Sequence, residues 1–231
     1  MRITKYLYVL SLISALSLSL GCAETIDSAA PVAHVPKSPW VLSGNENKAG
    51  AEVYAACASC HMADASGRSD GLVPRLAGQS KKVLFHKLQK LRNGQVLLPV
   101  MQPFARALSE PELDQVVHYI STLPGLFSTP IKNSGTSASS NKIYAMYCSA
   151  CHGSEGQGND AILAPKLCGQ HVAYLERRLS EIESNLRGDA DLGMVATLKP
   201  LNTKTRTEIS QWLASGQCVS ESKQTEQTNE K

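Results

Sequence analysis

Cys57-Ala58-Ser59-Cys60-His61 and Cys148-Ser149-Ala150-Cys151-His152 decide how this chain is read. Two cysteines three apart, with a histidine directly after the second, form the attachment signature of a c-type haem. The thiols reach the two vinyl groups of one porphyrin and become thioethers. The histidine then lies under the iron as its proximal ligand. A bare Cys-x-x-Cys pair could equally be a redox dithiol or half of a zinc site. The histidine that follows in both copies argues against these readings. The expected cofactors are therefore two covalently bound haem c groups.

The surroundings of the motifs repeat as well. Tyr54 stands three residues before Cys57, and Met146 or Tyr147 is expected on the same face before Cys148. Thirteen residues after each haem histidine comes a proline, in Pro74-Arg75-Leu76-Ala77-Gly78-Gln79 and in Pro165-Lys166-Leu167-Cys168-Gly169-Gln170. On its own, Leu-x-Gly-Gln is a surface turn. Its return at the same 91-residue offset marks a tandem duplication of one module.

The N-terminus reads as an export signal over residues 1–22. Arg2 and Lys5 supply the positive end, and Tyr6 to Leu20 is an uncharged, mostly apolar run, too short for a comfortable membrane span. Leu18-Ser19-Leu20-Gly21-Cys22 looks like a bacterial lipobox, in which Cys22 is lipidated; the competing reading is ordinary cleavage after Ala23. Either route leads to the bacterial periplasm, lipid-anchored to a membrane in the first case and freely soluble in the second. Of seven cysteines, four then hold haem and Cys22 holds lipid. Cys168 and Cys218 remain: they form a disulfide in an oxidising compartment, or they are buried or idle thiols.

Formal net charge is +3. There is no basic stripe and no aromatic interleaving, so no nucleic-acid partner is expected. Residues 46–125 carry nine Lys and Arg against seven acids, and 138–218 carry eight against eight. That difference is too small to name a partner.

Residues 23–45, with Pro31, Pro36 and Pro39, read as a flexible tether; 126–141 as a linker; and 219–231 as a disordered polar tail. Between them lie two all-α modules, 46–125 and 142–218. Units this small bury a meagre core unless a porphyrin completes it. Helices are expected from Glu46 to Ala56, Lys81 to Leu91, Ala173 to Ile182 and Thr205 to Ala214. Another begins after Ser109, which forms a capping box with Glu112 and is followed by Leu113, Val116, Val117 and Ile120. Tyr119 and Trp212 are expected to pack the last helix of each module against its first.

The second axial ligand follows by elimination. Met1 leaves with the signal, and Met62 and Met146 are too close to their motifs to reach the opposite haem face. Met101 and Met194 remain, 40 and 42 residues after their histidines and each seven residues before Leu108 or Leu201. His86, His118 and His171 have no histidine at the matching place in the other copy. Iron ligation by His61 with Met101, and by His152 with Met194, is therefore expected. A soft, neutral thioether favours ferrous iron and raises the potential.

The repeated pattern resembles the dihaem class I cytochromes c, most closely the cytochrome c4 family. The residues that carry the resemblance are Cys57, Cys60, His61, Pro74, Leu76, Gly78, Gln79 and Met101, then Cys148, Cys151, His152, Pro165, Leu167, Gly169, Gln170 and Met194. It implies a tandem pair of class I cytochrome c domains, each wrapped around one haem and related by a pseudo-twofold axis. It also implies that the carbonyls of Pro74 and Pro165 receive the proximal imidazole N–H. One departure is plain. The second copy has Gly153, Gly156 and Gly158 after its motif, whereas the first has Met62-Ala63-Asp64-Ala65-Ser66-Gly67, so the first loop is expected to differ.

The function the resemblance implies is single-electron carriage in the periplasm toward a terminal oxidase, and no residue constellation argues for catalysis. The partners so implied are redox proteins, a membrane quinol-oxidising complex and a terminal oxidase among them, with the membrane surface reached through the lipid anchor. The alternative is a haem subunit or dedicated electron acceptor of a periplasmic dehydrogenase. A dihaem peroxidase is more remote, because it needs an open iron position that the two methionines oppose. No Walker loop, zincin motif or nucleophile elbow is present.

Overall fold

Short amphipathic helices separated by glycine- and proline-bearing loops build two similar modules. The computed structural model describes residues 45–125 and 138–216. The signal segment with Cys22, the tether up to residue 44, most of the linker, Cys218 and the polar tail lie outside the described residues. Among the described residues there are nine helices and one isolated bridge, Asn159 to Ala164. None of these helices is long and apolar enough to cross a membrane.

The first module holds α1 (Asn45–His61), α2 (Lys81–Arg92), α3 (Gln102–Ala107) and α4 (Glu110–Thr122). Ser80 caps α2 by accepting from the Val83 N–H. Ser109 and Glu112 close the expected capping box at the head of α4. Leu113, Val116, Val117 and Ile120 are buried, so the stripe read from the sequence is the core face of α4. It packs on α1, where Tyr54 and Tyr119 meet with ring centroids 5.5 Å apart. The crossing is close because of Gly50. A Cβ there would stand 2.4 Å from the Gln115 carbonyl oxygen, inside the backbone of α4.

The second module holds α5 (Ala138–Tyr147), α6 (Ser149–His152), α7 (Val172–Glu183), α8 (Leu192–Leu198) and α9 (Thr203–Ala214). Helix α9 starts two residues earlier than its apolar pattern suggested, because the Asn202 side chain accepts from the Thr205 N–H and caps it there. Helix α5 starts at Ala138, inside the span read as linker. Tyr144 packs on Trp212 at 4.9 Å, the counterpart of Tyr54 on Tyr119.

Two sequence expectations are corrected here. Tyr144, not Met146 or Tyr147, is the equivalent of Tyr54. Its hydroxyl donates to the Gly153 carbonyl at 2.8 Å, as that of Tyr54 does to the Met62 carbonyl at 2.7 Å. Met146 is 74% exposed. The second module has one more residue between tyrosine and histidine. The break at Cys148 between α5 and α6 absorbs it, whereas α1 runs unbroken through its motif.

The loop after the first motif does not differ either. Met62, Ala65 and Gly67 have φ of 68°, 56° and 68°, matching Gly153, Gly156 and Gly158 at 79°, 65° and 80°. The hydrogen bonds coincide as well: Gly67 N–H to the His61 carbonyl at 3.0 Å, Gly158 N–H to the His152 carbonyl at 2.8 Å. Two ordinary residues occupy left-handed positions in the first copy, at a cost of roughly 1–3 kcal/mol each. The surrounding contacts hold them there.

All described residues belong to one compact unit, Val35–Lys231, and the two modules meet inside it. Arg177 donates to the Gly71 carbonyl at 2.7 Å, the His171 ring nitrogen Nε2 lies 2.8 Å from the Ser66 carbonyl, and Lys166 Nζ donates to the Gly78 carbonyl at 2.7 Å. The Leu97 N–H donates to the Arg187 carbonyl at 2.8 Å.

Candidate functional site

Each motif ends a helix with its histidine turned inward and its second cysteine outward. His61 and His152 are buried, 5% and 6% exposed. Cys60 and Cys151 are exposed, and Cys57 and Cys148 are half-buried. Three residues on a helix make nearly one turn, so both sulfurs of a pair lie on one face. All four thiols are free, so neither pair forms a disulfide. Burial, then the neighbouring Cys60 or Cys151, pushes the Cys57 and Cys148 thiols up to about 11. That is opposite to the depressed value of a reactive dithiol. Among the described residues no cluster of three or more His, Cys, Asp and Glu could hold a metal ion.

The ring nitrogen Nδ1 of His61 lies 3.1 Å from the Pro74 carbonyl oxygen, and that of His152 lies 2.9 Å from the Pro165 oxygen. A carbonyl only accepts, so Nδ1 carries the proton and Nε2 keeps its lone pair for a metal. Burial lowers both imidazole pKa values, against the hydrogen bond to the proline carbonyl, which raises them. A neutral, oriented imidazole beside a pair of free thiols fits a covalently held porphyrin.

Met101 and Met194 are both half-buried and stand at the heads of two short helices that the sequence reading did not anticipate. Met101 occupies the N-cap position of α3 and packs against Leu91, Val96 and Ala105. Met194 lies in the first turn of α8, where its N–H donates to the Asp191 carboxylate at 3.0 Å. Leu97, Val100 and Phe104, within four residues of Met101 in the chain, and Leu192, two residues before Met194, are exposed apolar side chains.

Two residues emerge as partners of the site that sequence reasoning treated only as part of a repeated turn. Gln79 and Gln170, 7% and 5% exposed, cross from one module to the other. Gln170 accepts from the Arg75 N–H at 3.0 Å and donates to the Arg75 carbonyl at 2.9 Å. Gln79 accepts from the Lys166 N–H at 2.9 Å and donates to the Lys166 carbonyl at 3.0 Å. Their recurrence at a fixed offset was the only signal available.

Glu181 gathers the charged side of α7. It pairs with Arg187 at 2.6 Å, Arg177 at 2.5 Å and Arg178 at 3.4 Å, while Arg178 also pairs with Asp189 at 2.5 Å. Burial raises the Glu181 and Asp189 pKa values, but hydrogen bonds from Arg187 and Arg177, and from Arg178, hold both carboxyls below their usual range. Their folded values are depressed, so acid favours the unfolded chain, which binds the extra protons. This share of stability is complete above about pH 4.5, the ordinary glutamate value, and is lost as pH falls below it. Glu181→Ala takes the carboxylate from the buried Arg187 guanidinium and is expected to cost roughly 3–5 kcal/mol. Thermal unfolding at several pH values checks this: the variant should melt lower at neutral pH and lose the Glu181 share of its acid sensitivity. An unchanged melting temperature excludes a structural role for the network.

Comparison with known proteins accords with this geometry. The cytochrome c family model matches residues 47–124 and again 137–214. A thiosulfate dehydrogenase electron acceptor of Stutzerimonas stutzeri (strain A1501) is 35% identical over 134 residues, 54% of this chain and 62% of the relative, so the match spans less than two thirds of that protein. Cytochrome c4 of Stutzerimonas stutzeri is 27% identical over 167 residues, 64% of this chain and 78% of the relative. Among solved structures, reduced recombinant cytochrome c4 from Pseudomonas stutzeri aligns with a TM-score of 0.64 at 26% identity, covering 75% of this chain and 99% of that one.

Proposed function

The chain belongs to the cytochrome c family, as two such domains in tandem with two covalently bound haem c groups, and on that footing we propose that it carries single electrons through His61–Met101 and His152–Met194 ligated irons. Haem c supplies one ferric–ferrous couple per module. The chain supplies the rest. Cys57, Cys60, Cys148 and Cys151 hold the porphyrins, and the Pro74 and Pro165 carbonyls orient the imidazoles. Met101 and Met194 would supply the second ligand to each iron and keep small ligands off it, which favours carriage over peroxide chemistry. The observation that supports this most is the duplicated histidine-to-proline contact, at 3.1 and 2.9 Å. The interlocked modules support an internal relay between the two couples.

The acceptor is a terminal oxidase in the first reading. A second reading makes the chain the dedicated acceptor of a periplasmic dehydrogenase, and the 35% identity to a thiosulfate dehydrogenase electron acceptor favours it. Stopped-flow mixing of the oxidised holoprotein with a thiosulfate dehydrogenase and thiosulfate separates them. Reduction within the enzyme's turnover time supports the second reading. Slow reduction there, with fast reoxidation of the ascorbate-reduced protein by oxidase-containing membranes, supports the first. Failure of both excludes carriage between these partners.

The same proposal places the chain at a membrane surface in the bacterial periplasm, through lipid on Cys22 and a tether over 23–45. Cys168 is buried and disulfide-bonded. The four motif cysteines take no part in it, and a lipidated Cys22 has no thiol, so on this proposal Cys218 is its partner. The Gly169 N–H donates to the Leu213 carbonyl at 2.7 Å, which holds the end of α9 against the Cys168 loop and supports Cys218.

A further inference from the structure

We propose that Gln79 and Gln170 are crossed tuning residues, each setting from one module the ligand strength of the proximal histidine in the other. The inference rests on His61 and His152 being iron ligands, as proposed above.

The geometry turns on a single peptide group in each module. The Pro74 carbonyl and the Arg75 N–H belong to the same peptide. Its oxygen receives His61 Nδ1–H at 3.1 Å, while its N–H donates to Gln170 Oε1 at 3.0 Å. In the second module the Pro165 carbonyl receives His152 Nδ1–H at 2.9 Å, and the Lys166 N–H of the same peptide donates to Gln79 Oε1 at 2.9 Å. Each histidine is thus joined, through one peptide, to a glutamine of the opposite module.

A peptide whose N–H is hydrogen-bonded is more polarised, and its carbonyl oxygen is a stronger acceptor. In condensed phases this cooperative gain is roughly 10–30% per bond, and it is best preserved where water is absent. Both glutamines are buried. Neither can swing away cheaply: Oε1 of Gln79 also accepts from the Ser80 N–H, and that of Gln170 from the His171 N–H, each at 3.0 Å. A stronger acceptor draws the Nδ1 proton outward and makes the imidazole a better donor to iron through Nε2. That favours the ferric state. Removing the glutamine weakens the pull, favours ferrous iron and raises the potential of the haem in the other module.

A glutamine that merely fastens the modules together would act differently. Its loss would disturb both haems, or the haem of its own module. The test is therefore made on the full-length holoprotein with Gln170→Ala and Gln79→Ala, by spectroelectrochemical titration and by NMR of the Nδ1 protons in the ferrous state. Gln170→Ala is expected to move the His61 Nδ1 proton upfield and to lower the ferric-to-ferrous ratio of the first haem roughly threefold at fixed electrode potential. At 59 mV per tenfold change that is roughly 30 mV. The second haem should stay in place, and Gln79→Ala should do the converse. Gln170→Glu puts a charged, stronger acceptor on the Arg75 N–H, so it should shift the His61 proton downfield.

A shift confined to the variant's own module, equal shifts in both haems, no shift, or an upfield shift in Gln170→Glu overturns the proposal. If alanine breaks the fold, the glutamate variant still decides. Absence of ring-current-shifted Nδ1 protons in the wild-type protein would sink the ligand assignment as well. Their presence without crossed shifts sinks the coupling alone.

Discussion

Replacing Cys57 and Cys60 together by alanine is expected to remove the haem of the first module and leave that of the second. Haem absorbance per chain should fall by about half, because each Cys-x-x-Cys-His holds one porphyrin through its own thioethers. The loss should reach the fold. The main core cluster of the first module holds Tyr54, Leu84, Leu113, Val116, Val117, Tyr119 and Ile120 with three alanines, a modest set for about 80 residues. On the proposed function, a porphyrin would complete that core. Circular dichroism should therefore show lost helix, and the remaining unfolding transition should belong to the second module. The second module should also melt lower than in the intact chain, since Lys166 loses its bonds with Gln79 and Arg177 loses the Gly71 carbonyl it donates to. Full haem content in the double variant would contradict the attachment chemistry itself.

Met101→Ala and Met194→Ala should each abolish the sixth ligand of one iron and spare the other. The sulfur-to-iron charge-transfer band in the near infrared should lose about half its intensity in each variant, because each thioether serves one iron. The potential of the affected haem should fall, since a soft neutral donor that stabilises ferrous iron is gone. The ferrous variant should also bind carbon monoxide at one site per chain, which the parent resists. The two variants need not be equally stable. Met101 anchors an apolar cluster with Leu91 and Val96, whereas Met194 is tied to Asp191 mainly through its backbone N–H. A larger loss of melting temperature is thus expected for Met101→Ala. If neither variant changes the band, the ligands lie elsewhere and the elimination that singled out these methionines fails.

Much of this site is legible without a structure because haem attachment is local chemistry. Two cysteines and a histidine within five residues must sit on one helical turn to serve one porphyrin, whatever surrounds them. The same holds for the capping box of Ser109 and Glu112 and for the buried stripe of α4, where propensity, capping and periodicity agree. The short helices α3 and α8 escaped notice because six or seven residues carry too little periodicity to stand out. The partner of Trp212 was misplaced for a similar reason. Counting offsets between the copies assumes an equal number of residues, and the break at Cys148 adds one.

By itself the sequence determined the duplicated module and its two Cys-x-x-Cys-His motifs, and it singled out His61, His152, Met101 and Met194 as the ligands proposed here, because each depends on residues near in the chain or on elimination among few candidates. Only the tertiary structure decided that the first loop adopts the left-handed turns of its glycine-rich counterpart. The tyrosine hydroxyl and the returning Leu76 N–H hold Met62 and Ala65 there against their own preference. It also decided what Gln79 and Gln170 do. A buried side-chain amide bonds whichever peptide the opposing module brings to it, and that peptide lies 87 residues away for Gln79 and 95 for Gln170.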